Sequence, residues 1–396
     1  MAKINEQRAI DLVMQLMAVP GRSCEEGKIA GSVRQILLDA GVSEKCITFD
    51  NAHRKTPSPG QVGNLIVKLP GASKLPRLML SAHLDTVPIC VGCQPKRVGS
   101  VIRSADPKTG LGADDRAGVA VVLTAAIESL ERPAELRCPL TLCFFVQEEV
   151  GLQGSRNLTL SKLGKPAMAF NFDGGNPFKM TVGATGGERI KIVLKGLPAH
   201  AGLAPEAGAS AIDAAGLAIA SLRKGRWLGA VKKGGKRGTS NLGTIQGGVA
   251  TNVVAEHVEL TAEARSHDSG FRTAIADAIE HAFHAAASSV VSSTGVPVQA
   301  DVQRRVDYDS FRLPEDSAPI LLGDEAIQAV GGAPEHAISN GGVDANWLVK
   351  HGIPTATFGC GQREVHTNQE WLDIPGFLAA NQIARSIIQF ASSSDV

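Results

Sequence analysis

A chain of 396 residues with 43% hydrophobic and 20% charged side chains has the make-up of a globular protein of two or three domains. Its 40 basic and 39 acidic residues leave a formal net charge of +1, which gives no electrostatic basis for binding nucleic acid or an anionic membrane. Met1 to Arg8 is polar, the apolar run after it is short and interrupted, and seven cysteines are thinly spread, so the expectation is a cytoplasmic, reduced protein without signal peptide, transmembrane helix or disulfide framework.

Apolar residues at helical spacing (Ile10, Val13, Met14, Met17) predict a helix over 5–18, and a second follows over 25–39 with Gly41 as its stop. Residues 62–68 and 77–82 read as strands, 114–130 as a helix rich in Ala and Val, and 140–146 and 168–172 as further strands. Strands alternating with helices predict a layered α/β domain around a mostly parallel sheet. After Gly186-Gly187 the rhythm changes. A strand over 189–194, a helix over 209–222, strands over 239–245 and 257–264, a long helix over 271–290 and a strand over 296–306 give the order βαββαβ, the ferredoxin-like α+β plan. A domain over 187–311 is thus expected to be inserted into one built from 1–186 and 312–396, which ends in an amphipathic helix near 381–390. The basic, Gly-rich run 223–237 reads as a solvated loop. Trp227 is its single aromatic residue, which makes it a poor platform for nucleic acid.

The run Leu140 to Val146 is nearly all apolar and leads into two adjacent carboxylates, Glu148 and Glu149. In open α/β sheets ligands sit beyond the carboxyl ends of the strands. Neighbouring acids repel unless something positive lies beside them, so a metal ion is the simplest occupant and a solvated turn the bland alternative. Four other segments deliver metal-capable side chains where predicted strands end or helices begin: His83 with Asp85, Asp114 with Asp115, Asp173, and His366. A lone histidine there is usually a core or loop residue, and a lone Asp before Gly-Gly a turn; their joint occurrence carries the weight. Two imidazoles with several carboxylates and no cysteine suit zinc or a neighbouring divalent metal. Three or more carboxylates exceed what one zinc needs, which favours two metals sharing an acid. Cys90 and Cys93 have a spacing shared by redox pairs and half zinc sites. No second such pair follows and no thioredoxin-like helix opens there, so they read as ordinary loop cysteines.

Taken in order, His83-Leu84-Asp85-Thr86, Gly112-Ala113-Asp114-Asp115-Arg116-Ala117-Gly118, Glu148-Glu149-Val150-Gly151, Phe172-Asp173-Gly174-Gly175, Ala199-His200-Ala201-Gly202 and His366-Thr367 resemble the M20 di-zinc metallopeptidases, peptidase T-like branch, over nearly the whole chain. The resemblance implies that His83 and Asp173 bind one Zn2+, that Glu149 and His366 bind the other, and that Asp114 bridges them, two residues before Arg116, where the family usually has Lys. Co2+ or Mn2+ could occupy the same sites. Asp85 would hydrogen-bond to His83 and fix its tautomer, and Glu148 would be the general base. The inserted domain would be the lid, commonly the dimerisation domain, with His200 stabilising the developing oxyanion. Asn252 and Arg265 match substrate-holding positions, a guanidinium being suited to a peptide carboxylate.

Asn340, Gly341 and Gly342 resemble the family's Gly-rich substrate loop. Tripeptidases of the family carry arginine at the position of Asn340, so the chain departs from a strict tripeptidase. Asp173, where carboxypeptidase- and acylase-like relatives tend to have Glu, points back to aminopeptidase chemistry. The expectation is a cytoplasmic di-zinc exopeptidase acting on small peptides, homodimeric through its lid. The alternatives are an N-acyl amino acid amidohydrolase or carboxypeptidase-like hydrolase, and an inactive dimeric binding protein on the same scaffold. An inactive relative would be expected to lack a ligand or Glu148, and all are present.

Overall fold

The runs Leu78–His83 and Leu140–Phe145 are buried along their whole length, as strands of a sheet covered on both faces must be. They lie parallel, with Leu78 opposite Leu140 and His83 opposite Phe145. Met168–Phe172 pairs parallel on the other side of Leu78–His83, and Thr355–Phe358 pairs parallel beyond it. Antiparallel strands flank this centre: Leu65–Leu69 against Leu140–Phe145, and Lys179–Ala184 against Thr355–Phe358. The nine-stranded sheet is therefore parallel where it is most buried, and the expected mixed α/β class is present. The computed structural model describes residues 4–71, 74–133 and 136–393. It divides into two units, Met1–Gly183 with Arg312–Val396, and Ala184–Phe311.

The helix Ala113–Leu130 is buried nearly all round, as befits a helix packed between a sheet and other helices. It lies against Leu78–His83 and Met168–Phe172 on one side and against the helices Glu6–Met17 and Ile374–Ser393 on the other. Its approach to the sheet depends on Gly118, where a Cβ would stand 1.9 Å from the Phe172 carbonyl oxygen and 2.4 Å from Asp115 Oδ1. That close approach brings the start of the helix to the carboxyl edge of the parallel strands.

A small antiparallel sheet of Gln362–Arg363, Trp371–Asp373, Val101–Ser104 and Pro95–Val98 joins the segment after His83 to the segment carrying His366. Its strands are two to four residues long, too short for an alternating pattern to stand out in sequence.

The unit Ala184–Phe311 is a five-stranded antiparallel sheet in the order Gly229–Lys233, Lys236–Gly247, His257–Ser266, Gly186–Lys195, Gln299–Tyr308. The helices Ala211–Lys224 and Ser269–Ser289 pack together, and their apolar sides join the sheet's Ile190, Ile192, Leu194 and Leu260 in one core. The βαββαβ order is present with one added edge strand, and that strand corrects the reading of 223–237 as a loop. Gly229–Lys233 pairs antiparallel with Lys236–Gly247 through a turn at Gly234-Gly235 with φ of +56° and +76°, the left-handed pair that a two-residue hairpin requires. Val231, fully buried, anchors it. The lysines and arginine around Val231 hide that signal in the sequence.

Candidate active site

Parallel strands present their last residues along one edge. His83 ends Leu78–His83, Asp173 follows Met168–Phe172 directly and donates its N–H to the Phe358 carbonyl at 2.8 Å, and Glu148 and Glu149 lie just past Phe145. Leu84 donates its N–H to the Phe145 carbonyl at 2.7 Å, which keeps the two strand ends level. Asp114 and Asp115 open the central helix with non-helical backbone. His366 comes from the loop after Gln362–Arg363, with φ of +64°.

These side chains meet. His83 Nδ1 is 3.0 Å from the Asp85 carbonyl oxygen and 3.5 Å from its Oδ1, which turns Nε2 toward Asp114 Oδ1 at 3.1 Å. Asp114 Oδ2 is 3.2 Å from His366 Nε2, and that nitrogen is 2.9 and 3.0 Å from the two oxygens of Glu149. One carboxylate thus stands between two imidazoles. Ligand atoms of His83, Asp114 and Glu149 lie within 4.8 Å of one another, as do those of His83, Asp115 and Asp173. Asp115 differs from its neighbour in what its oxygens already hold. Oδ2 accepts the His83 N–H at 3.1 Å, and Oδ1 accepts Gly118 N–H at 3.0 Å and Gln362 Nε2–H at 2.8 Å.

The structure modifies the expectation for Asp85. The nearest partner of His83 Nδ1 is the Asp85 carbonyl, while the carboxylate accepts Glu148 N–H at 2.9 Å, Glu149 N–H at 3.2 Å and Ser23 Oγ–H at 2.7 Å. It cradles the turn that carries the paired glutamates. Glu26 extends the cradle by accepting Gln147 N–H at 3.1 Å. Ser23 and Glu26 escaped the sequence reading because neither ends a strand nor belongs to a motif. Glu370, which accepts Asp114 N–H at 3.0 Å, left one faint signal, its place four residues beyond His366.

Burial makes three of these acids hold their protons tightly. Burial pushes the Glu148 carboxyl well above the usual range and raises Glu149. Burial and then the charge of Asp114 carry Asp173 up to about 8. Burial would also raise Asp114, but hydrogen bonds from His366 and His83 outweigh it and hold that carboxyl low. Contacts with Asp114 and Glu149 push His366 up to about 10. His83 rises well above its ordinary value because Asp114 and Asp85 outweigh the opposing effect of burial. A cluster with this excess of carboxylates attracts cations. Its donor set, imidazole nitrogens with carboxylate oxygens and no thiolate, fits divalent metals of the zinc, cobalt and manganese kind.

In the unit Ala184–Phe311, exposed His200 is bridged antiparallel to Val253, and Ala201 donates its N–H to the Asn252 carbonyl at 3.0 Å. His200 and Asn252 are thus neighbours across two chain segments. His200 Nδ1 accepts the N–H groups of Gly202 and Leu203, both at 3.1 Å, so the ring proton belongs on the other nitrogen, Nε2. Arg265 is clasped by Glu263 through Nε and Nη2 at 3.0 and 2.9 Å. In the other unit, Asn340, Gly341 and Gly342 follow the strand Glu335–Ser339, whose Ser339 Oγ accepts Gly341 N–H at 3.0 Å. Cys90 and Cys93 are buried and free. Burial pushes Cys93 up to about 11 and Cys90 higher still, which makes them inert thiols rather than reactive thiolates.

Residues 79–389 match the profile of peptidase family M20/M25/M40. The chain belongs to that family. This M20 chain resembles a tripeptidase from Staphylococcus aureus at 27% identity with a TM-score of 0.88, over 99% of the chain and 100% of the tripeptidase. It resembles aminopeptidase PepT from Bacillus cereus at 29% identity with a TM-score of 0.84, over 98% and 100% of the respective chains. In sequence it is 29% identical over 392 residues to the uncharacterized protein YqjE of Bacillus subtilis, covering 98% of the chain and 100% of YqjE. It is 35% identical over 221 residues to a probable carboxypeptidase of Aspergillus terreus, spanning 50% of the chain and 49% of that protein. Family and neighbours together make the M20 chain a peptide-bond hydrolase of the peptidase T-like kind.

Proposed function

We propose that this M20 peptidase is a di-metal aminopeptidase of small peptides. The observation that carries the reading is the Asp114 carboxylate flanked by His83 and His366, beside Glu149 and Asp173, at one edge of the parallel strands. His83, Asp173 and Asp114 would hold one divalent cation, and Asp114, Glu149 and His366 the other, with zinc the first choice. Asp114 is assigned the shared place because the oxygens of Asp115 are taken by three N–H donors. When bound, such a pair polarises a peptide carbonyl and lowers the proton affinity of a water held between the ions.

Glu148 is the general base. Asp85 pins its backbone N–H, and burial keeps its affinity for a proton high. It takes a proton from the attacking water and returns it to the departing amine, so that acid and amine leave with atoms balanced. His200 offers its Nε2–H to the oxygen that gains charge. Asn252, Arg265 and the loop Asn340-Gly341-Gly342 hold the remainder of the substrate. Recruiting Arg265 to a substrate carboxylate means exchanging its present partner, Glu263. His200→Ala is expected to lower kcat by roughly 10²–10³ with unchanged metal content by elemental analysis; loss of metal would show that the residue has another place.

The aminopeptidase reading is supported by the likeness to the tripeptidase and to PepT, and by Asp at position 173. A second reading, an N-acyl amino acid amidohydrolase or carboxypeptidase-like hydrolase, is favoured by Asn340 at the position where the family's tripeptidases carry arginine, and by the likeness to the fungal protein. Metal content measured alongside amine release from di- and tripeptides and N-acyl amino acids separates the two. About two metal ions per chain with cleavage of peptides bearing a free amino terminus is the expected result, and turnover of acylated substrates alone would move the assignment to the second reading.

We place the protein in the cytoplasm as a homodimer through the Ala184–Phe311 unit. All seven cysteines are free, and no helix among the described residues is long and apolar enough to cross a membrane. Ile212, Leu217 and Ile245 of that unit are 49–55% exposed, apolar surface suited to a second copy. Light scattering at the mass of one chain would remove the dimer.

A further inference from the structure

The segments that carry Asp114 and His366 are far apart in sequence, and one buried carboxylate ties them together. Glu370 is 2% exposed. Its Oε2 accepts Gly112 N–H at 2.6 Å and its Oε1 accepts Asp114 N–H at 3.0 Å. The Cys90 thiol donates to Oε2 at 3.5 Å, which gives that cysteine a structural use unrelated to redox chemistry. On its own side, Glu370 donates its N–H to the Thr367 carbonyl at 3.3 Å, closing the short loop that begins at His366. The next residue, Trp371, enters a strand opposite Arg103, so the carboxylate rests on an anchored backbone. Both oxygens are committed to the turn that presents Asp114, and the residue shares a loop with His366, whose Nε2 is 3.2 Å from Asp114 Oδ2.

We propose that Glu370 is a positioning residue that sets the separation of Asp114 and His366 and thereby the affinity of the site they share with Glu149. The inference rests on the di-metal reading above. Outer partners of metal ligands commonly govern affinity in this way, because a ligand held in place surrenders less freedom on binding. The requirement for a carboxylate is specific. Two N–H donors converge on it, and a glutamine of the same shape has one acceptor oxygen and an NH₂ group that would face the other donor. Glu370→Gln therefore leaves a buried N–H unpaired and frees the Asp114 turn to shift against His366.

Zinc titrated against a chromophoric chelator should show two sites in the wild-type protein. In Glu370→Gln the weaker site should lose about 10–100-fold in affinity, and the visible absorption of the cobalt-loaded variant should shift. Thermal unfolding of the metal-free variant should fall by the small amount that one unpaired buried N–H costs, and that of the metal-loaded variant by more, because weakened metal binding adds to it. Glu370→Asp keeps the charge but withdraws it by one methylene; it should show an intermediate loss and decides the matter if the glutamine variant does not fold. Wild-type affinity at both sites in either variant overturns the proposal. So does equal destabilisation of the metal-free and metal-loaded forms with affinity unchanged, which would make Glu370 a brace for the fold alone. Absence of zinc binding by the wild-type protein would instead sink the di-metal reading, and this inference with it.

Discussion

Glu148→Ala is expected to keep both proposed metal ions and to lose turnover by about three orders of magnitude. The size follows from the 10²–10⁴-fold usually contributed by a positioned general base. Retention of metal follows from the geometry. Among the described residues, the clusters of ligand atoms within 4.8 Å of one another are His83, Asp114 and Glu149, and His83, Asp115 and Asp173, neither of which includes Glu148. The turn itself survives, because Asp85 binds the backbone N–H groups of residues 148 and 149 rather than the Glu148 side chain. Removing a carboxyl whose proton affinity is already raised by burial also costs the fold little. Elemental analysis together with kcat on a dipeptide checks both halves. Ordinary turnover would take Glu148 out of the base role, and loss of metal would make it a ligand.

Asp114→Ala is expected to reduce bound metal from two ions to one or none, and with it to abolish measurable peptide hydrolysis. Asp114 faces both imidazoles, His83 through Oδ1 and His366 through Oδ2, so its removal takes an oxygen from each proposed ion. Asp115→Ala makes the contrast. It strips the acceptor from the N–H groups of His83 and Gly118 and from Gln362 Nε2, and leaving such donors buried and unpaired costs about 1–3 kcal/mol each. That variant should unfold at lower temperature while binding metal with altered affinity rather than altered stoichiometry. Metal counts on the two variants decide between the neighbours: two ions in Asp114→Ala with fewer in Asp115→Ala would transfer the bridging place to Asp115.

The elements of the parallel sheet were legible because their signal is local. Leu78–His83 and Leu140–Phe145 are short apolar runs, and a run buried on both faces declares itself without reference to the rest of the chain. The edge strand Gly229–Lys233 of the unit Ala184–Phe311 was not legible. Its one buried apolar side chain, Val231, sits among lysines, and a strand built on a single anchor has no pattern to read. The small antiparallel sheet failed for the same reason. Its strands owe their existence to pairing between distant segments rather than to their own composition.

The site divides along the same line. The side chains that meet at the sheet edge, His83, Asp114, Glu149, Asp173 and His366, could be named from sequence because each stands at the end of a recognisable element or inside a motif. Sequence alone also settled the mixed α/β class, since alternating local patterns admit few other layerings. Adjacent residues such as Asp114 and Asp115 share every feature of sequence context, and what separates them is which oxygens are already engaged. The carboxylates of Asp85 and Glu370 likewise take their roles from backbone amides 63 and 256 residues away. Local sequence determines which elements form and which chemistries are on offer. Only the tertiary fold decides which donor each oxygen meets, because hydrogen bonds act over about 3 Å and residues so distant along the chain come within that reach only when the sheet and helices have packed.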